Sequence, residues 1–232
     1  MARHGGLLLA VLFAGPACAQ VSGSAAWLSD DRYRGASLSD GAPTAQLTLA
    51  WDAADGWYGG AQFTRVRFDY PGAGAELEAA PYLGYVHALG PRTQVEAGAQ
   101  YTWFSRSRRY AYPELYAGIS GERLHARLAW IHGYFGLPAD AWYGELNGDR
   151  PLRGPWRLLG HVGVMRQDAI DTYVEPEPSR WRYDVAAGVG VAWSGFDLQA
   201  TWTTTSASPY ATCAPWQCGA RSAWVLRIAR SW

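Results

Sequence analysis

Beyond residue 20, apolar and polar side chains alternate along almost the whole chain. Leu47, Leu49 and Trp51 alternate with Gln46, Thr48 and Ala50, and Leu124, Ala126, Leu128 and Trp130 with His125, Arg127 and Ala129. The longest run carries Trp181, Tyr183, Val185, Ala187, Val189, Val191 and Trp193 on one side, with Arg182, Asp184, Ala186 and Gly188 on the other. A period of two marks a strand with one apolar and one polar face, and no segment of helical length shows a three-to-four repeat. The pattern therefore predicts an all-β fold of about twelve strands, near 21–29, 44–52, 57–68, 76–87, 93–104, 114–120, 123–132, 141–147, 156–165, 181–193, 196–205 and 221–232. Turn residues at Asp55-Gly56, Gly90-Pro91, Ser120-Gly121 and Ser194-Gly195 predict tight hairpins. Those turns alternate with longer connections at 30–43, 105–113, 133–140, 167–180 and 206–220, while 148–155 reads as a turn of medium length.

Two architectures share this alternation: a soluble sandwich with its apolar face inside, and a membrane barrel with that face outside. Aromatic placement separates them. Trp51, Trp57, Trp193 and Phe196 stand beside turns, where bilayer-spanning strands carry their interfacial girdles. Short turns on one rim and long loops on the other point the same way. A sheet in hydrocarbon must also close, because unpaired backbone groups cost several kcal/mol there. The expected fold is a closed antiparallel transmembrane β-barrel over 20–232, with short periplasmic turns and longer extracellular loops. The last strand places Trp224, Leu226, Ile228 and Trp232 on one face. Its terminal aromatic resembles the signal read by the outer-membrane barrel assembly machinery. Arg230 shares that face and is tolerable at the interface, whereas at mid-bilayer it would cost about 2 to 4 kcal/mol.

The N-terminus follows a different rule. Arg3 precedes an apolar run from Leu7 to Ala14, and Ala17-Cys18-Ala19 offers small residues for cleavage, so residues 1–19 read as a secretory signal peptide. The mature chain then keeps Cys213 and Cys218, an even pair around a turn-forming stretch in an oxidising compartment, and a local disulfide is expected.

Composition removes other classes. All 20 basic residues are Arg against 20 acids, which excludes lysine Schiff-base and P-loop chemistry. The balanced charge argues against a nucleic-acid partner. No H-x-E, H-E-x-x-H or C-x-x-C spacing implies a metal or other cofactor.

The stretch from Ser29 through Asp30-Asp31-Arg32-Tyr33-Arg34-Gly35-Ala36-Ser37-Leu38-Ser39-Asp40 to Pro43, with Tyr112-Pro113-Glu114-Leu115-Tyr116 further on, resembles the TorF-type porin family of proteobacteria. That first-loop pattern runs approximately S-D-Y-x-F-R-G-x-S-x-S-D-x-x-P. Asp31 stands where the family has Tyr, and Tyr33 where it has Phe. The resemblance implies an outer-membrane location and a pore, and supplies no substrate.

In a barrel of this kind the polar face lines the lumen. The candidate lining residues are Glu78, Glu96, Glu114, Tyr116, His125, Arg127, Glu145, His161, Arg182, Asp184 and Arg227. Opposed acidic and basic walls would orient dipolar solutes and pass small polar molecules by diffusion; the same charges could instead pair and plug a narrow interior. His125 and His161 read as lumen residues bonded to Glu. Asp30, Arg32, Arg34 and Asp40 form a candidate entrance loop, either as a filter or as a loop fixed by Arg–Asp pairs. Arg65, Arg67, Arg106, Arg108 and Arg109 could meet lipopolysaccharide phosphates beside the outer-membrane lipid. An anchor or adhesin is the alternative, and a lipid-modifying enzyme a lesser one, since neither His87 nor His132 has an evident Ser and acid partner in sequence.

Overall fold

A computed structural model describes residues 20–68, 74–169, 180–206 and 222–232. The expected signal peptide, Cys213 and Cys218 lie outside the described residues.

The described residues form fourteen strands, in order β1 (Gln20–Leu28), β2 (Arg32–Tyr33), β3 (Ala36–Ser37), β4 (Thr44–Asp52), β5 (Trp57–Val66), β6 (Glu76–Gly90), β7 (Thr93–Phe104), β8 (Tyr112–Ser120), β9 (Leu124–Ile131), β10 (Ala141–Pro151), β11 (Trp156–Gln167), β12 (Arg180–Trp193), β13 (Phe196–Thr205) and β14 (Ser222–Ser231). Twelve of them form one closed antiparallel barrel in which each pairs with its chain neighbours and β1 closes on β14. The remaining two, β2 and β3, form a separate ribbon within the first long loop.

The alternation is laid down as the sequence pattern requires. On β4, Ala45, Leu47 and Leu49 are exposed while Thr44 is buried, and on β12 Trp181, Tyr183 and Val185 are exposed while Arg182 and Asp184 are buried. The apolar face is thus outside and the charged one inside. Trp57, Tyr85, Trp156, Trp193 and Phe196 ring the short-turn rim, and Trp27, Tyr101, Trp142, Trp181, Trp202 and Trp224 ring the long-loop rim. Between the two rings the outward belt is aliphatic, as at Leu47, Leu83, Leu128, Val162 and Leu226.

Closure depends on the last residue. Gly23 and Trp232 exchange backbone hydrogen bonds of 3.1 and 3.0 Å. The indole lies over Gly23, where an added Cβ would sit 2.7 Å from the ring. Glycine is needed there because the aromatic ring occupies the space of a side chain.

Several strand ends differ from the alternation reading by two to four residues, those of β10 and β8 among them. Strand β10 continues to Pro151, pairing Asp149 with Leu159 and Arg150 with Leu158, so the medium turn expected at 148–155 shrinks to a tight one. Strand β8 begins at Tyr112 instead of 114, because Thr102 of β7 is its partner. Cross-strand pairing extends both strands past the point where the apolar rhythm fades.

A second difference is the position of the packed core. Leu38, Val66, Phe68, Phe104, Tyr110, Tyr112, Tyr116, Ile131, Tyr134, Phe135, Tyr143 and Met165 are buried in one cluster inside the long-loop half. Phe68, Phe104, Tyr110 and Phe135 meet with ring centres 5.2 to 6.3 Å apart. The lumen is therefore filled by aromatic packing toward one rim and polar toward the other.

Candidate functional site

The first loop folds into the barrel instead of standing above it. Its ribbon turns at Arg34 and Gly35, with φ of 51° and 79°. These are two successive left-handed residues of the kind a two-residue hairpin needs. Asp30 organises the base of this finger, accepting from Arg32 Nε (2.5 Å), Ser37 Oγ (2.5 Å) and Ser39 Oγ (3.0 Å). Ser39 Oγ also accepts the Asp31 amide at 2.9 Å. The ring of bonds leaves Asp31 buried beside Asp30, and burial first, then the Asp30 charge, pushes its carboxyl up to about 6. Asp40 is exposed at the rim and takes no part.

The finger tip spans the lumen. On one side Arg34 Nη2 donates to Glu114 Oε2 on β8 at 2.5 Å. Its guanidinium stands 4.5 Å from the ring centre of Tyr143, 4.6 Å from Tyr33 and 5.6 Å from Tyr134. On the other side Gly35 lies against the side chains of Asp184 and Thr205, where an added Cβ would approach within 2.7 Å.

Below the finger the wall carries three polar clusters. In the first, Glu96 accepts from Tyr58 Oη (2.5 Å) and from Arg127 Nη2 (2.8 Å). Arg127 also lies 4.3 Å over the Tyr116 ring. In the second, His161 Nε2 is 2.6 Å from Asp184 Oδ1 and Nδ1 is 2.6 Å from Asn147 Oδ1, while Tyr143 Oη donates to Asp184 at 3.2 Å. In the third, Arg157 bonds both oxygens of Asp197 (2.7 and 2.8 Å), and Arg227 stands 3.6 Å from the same carboxylate.

The histidines are partnered differently from the sequence expectation. His125 bonds Ser120 Oγ at 2.5 Å with Glu96 at 3.7 Å, and His161 bonds Asp184 with Glu145 at 4.0 Å. Position in the register decides this. Ser120 lies directly across from His125 in the β8–β9 pair, and Asn147 across from His161 in the β10–β11 pair.

The eleven candidate lining residues all sit on the inward face, but not in one group. Glu114, Arg127, Glu145, His161, Asp184 and Arg227 line a cavity of about 370 Å³ beneath the finger. A second cavity of about 390 Å³ shares His161, Ala186, Gln199 and Thr201 with the first. It reaches the short-turn rim at Glu122, Arg123, Gly148 and Asp149. Glu78 and Arg182 are buried higher up, near the long loops.

Sequence reasoning did not single out Tyr58, Tyr143, Asn147, Arg157 or Asp197. Each occupies the inward phase of its strand, so strict phase counting finds Asn147, Arg157 and Asp197. The same phase holds Tyr58 and Tyr143, whose hydroxyls reach Glu96 and Asp184.

Outside the lumen, Arg65, Arg67, Arg106, Arg108 and Arg109 are exposed at the long-loop rim. His132 meets an acid after all: Asp140, from the far end of its own loop, stands 2.8 Å from Nδ1. No serine hydroxyl bonds to it among the described residues. Nor do these residues gather three or more His, Cys, Asp or Glu in a metal-holding group.

Fold and lumen together define a closed twelve-strand antiparallel β-barrel with an aromatic belt outside and a charged interior. Residues 14–232 match the family described as "Bacterial protein of unknown function (Gcw_chp)", and the chain belongs to that family. No curated protein matches it in sequence. Among solved structures it is similar to a NanC porin, at TM-score 0.55 and 10% identity over 90% of this chain and 98% of the other. It is also similar to a KdgM porin in complex with disordered oligogalacturonate, at TM-score 0.52 and 7% identity over 92% and 98%. A structure from work on in-meso crystallization of membrane proteins gives TM-score 0.57 and 7% identity over 91% and 83%. At such identities the likeness is one of fold.

Proposed function

We propose that the protein is a porin-like barrel of the bacterial outer membrane that passes small polar solutes by diffusion through a narrow charged lumen. One observation carries this reading: the cavity beneath the finger shares His161, Ala186, Gln199 and Thr201 with a second cavity that reaches the short-turn rim inside a closed sheet. A wall bearing Arg127, Arg227, Glu145 and Asp184 gives a dipolar solute partners of both signs. The first-loop resemblance to TorF-type porins agrees with it, as does the porin fold of the solved structures. In this reading residues 1–19 direct export, Trp232 is read by the barrel assembly machinery, and the exposed rim arginines meet lipopolysaccharide phosphates. Purified protein in planar bilayers should give discrete conductance steps, and silence would remove the pore. A closed barrel acting as an anchor is the second reading, favoured by the seated finger and the aromatic cluster above it.

A further inference from the structure

The finger tip fills a cage that the rest of the barrel supplies. Glu114 comes from β8, Tyr143 from β10 and Tyr134 from the loop joining β9 to β10. All three converge on the Arg34 guanidinium, at 2.5 Å for the carboxylate and 4.5 and 5.6 Å for the ring centres. Aromatic faces attract a cation through their quadrupoles, and guanidinium is weakly hydrated and flat enough to stack on them. A carboxylate held at the same point completes a receptor for that group.

The cage also opens toward solutes. Tyr143, Glu114 and Arg34 line the 370 Å³ cavity, and Glu145 lies two residues from Tyr143 on the same face of β10. Arg127, opposite Glu145 in the β9–β10 register, directs its hydrogen bonds to Glu96, and Arg227 stands beside Asp197. Among the described residues the Glu145 carboxylate has only the His161 ring nearby, at 4.0 Å, and that ring is bonded to Asn147 and Asp184. The approach to the cage therefore carries a carboxylate that no described arginine meets within 4.0 Å, a second acceptor for a solute's N–H groups on the way to Glu114.

We propose that Glu114, Tyr134 and Tyr143 form a binding site for solutes bearing a guanidinium group, which Arg34 fills from within the chain, so that such a solute arriving through the cavity competes with Arg34 and frees the finger. The inference deepens the porin-like reading and depends on it for the route of entry, while binding itself does not require conduction. It assigns Arg34 the part of a tethered competitor.

The test is a calorimetric titration of the Arg34→Ala barrel in detergent with millimolar guanidinium chloride. Removing the tethered competitor should tighten apparent binding by at least about tenfold over the wild type, the inverse of the fraction of barrels whose finger is unseated, and adding Glu114→Gln should abolish it. Binding no tighter than in the wild type, or binding that survives Glu114→Gln, overturns the cage. A second measurement needs no variant: guanidinium should speed chymotrypsin cleavage at Tyr33 in the wild-type barrel, and an unchanged rate counts against the competition. A barrel that binds guanidinium in the Arg34→Ala form yet never conducts in bilayers upholds the cage and refutes the pore.

Discussion

Arg34 and Glu114, eighty residues apart in sequence, meet inside the barrel with Nη2 2.5 Å from Oε2 and each side chain 5% exposed. Removing one partner of a buried ion pair leaves the other charge desolvated and uncompensated, at a cost of about 3 to 5 kcal/mol. Glu114→Ala should therefore expel the finger, since Arg34 regains water only by leaving. Chymotrypsin should then cut at Tyr33 many times faster than in the wild type, with the strand content by circular dichroism unchanged.

The opposite side of the finger gives an independent check. Gly35 has φ of 79°, and its missing side chain is what lets the turn lie against Asp184 and Thr205. Gly35→Val adds a β-branched group at a left-handed position, costing about 1 to 2 kcal/mol before any clash, and then forces it into both neighbours. Single-channel conductance should rise although Arg34 and Glu114 are both intact. An unchanged conductance would show that the finger tip does not limit the path.

Much of this architecture was legible in the alternation itself. Every barrel strand coincides with a run of period two, because outward apolar and inward polar residues face such different surroundings that a one-residue slip would invert them all. The ribbon β2–β3 left no such trace: two-residue strands have no period, and the Arg34–Glu114 pairing spans too much chain for any local pattern to encode it. The internal aromatic cluster was hidden for another reason. Val66, Phe104, Tyr112, Ile131 and Met165 occupy inward positions near the long-loop ends of their strands, where an apolar residue looks like a lapse in the polar face. Seen together on neighbouring strands, those lapses mark a packed layer inside the barrel.

Acidity should seat the first loop more firmly. The Asp31 carboxyl is pushed up to about 6 from an ordinary value of 3.8, so the folded loop holds a proton that the released loop gives up. The part of the stability that Asp31 supplies is then full below about pH 4 and is lost as pH rises through about 6. The whole difference is roughly 3 kcal/mol at about 1.4 kcal/mol per pH unit. Cleavage at Tyr33, divided at each pH by chymotrypsin's own rate on a free peptide, should be slower at pH 4.5 than at pH 7, and Asp31→Asn should flatten that dependence. A profile that stays steep in the variant would assign the proton elsewhere.

Barrel closure should depend on Trp232 through its ring as well as its backbone. The indole covers Gly23 at the seam between β1 and β14, so Trp232→Ala leaves the backbone bonds but bares the glycine. An aromatic–glycine contact across a seam protects those bonds from competing partners. The variant should unfold at lower urea concentration in lipid vesicles and give less of the compact band on unheated gels, whereas Trp232→Phe should restore most of it.

Charge selectivity should turn on Arg127. Its guanidinium neutralises Glu96 at 2.8 Å and stands opposite Glu145 across the β9–β10 register. Arg127→Ala removes one positive charge from the cavity wall and leaves Glu96 held by the Tyr58 hydroxyl, with His125 at 3.7 Å. A unit charge about 8 to 10 Å from a passing ion contributes about 2 kcal/mol at an effective dielectric of 20. Reversal potentials across a salt gradient should therefore shift toward cations by at least about tenfold in permeability ratio at low ionic strength. The shift should shrink in molar salt as screening shortens the reach of the unmasked acids. Arg227→Ala removes the same charge, but Asp197 keeps its two bonds to Arg157, so its shift should be the smaller of the two. Equal shifts for both variants would mean that net charge alone, and not the pairing at Glu96, sets selectivity.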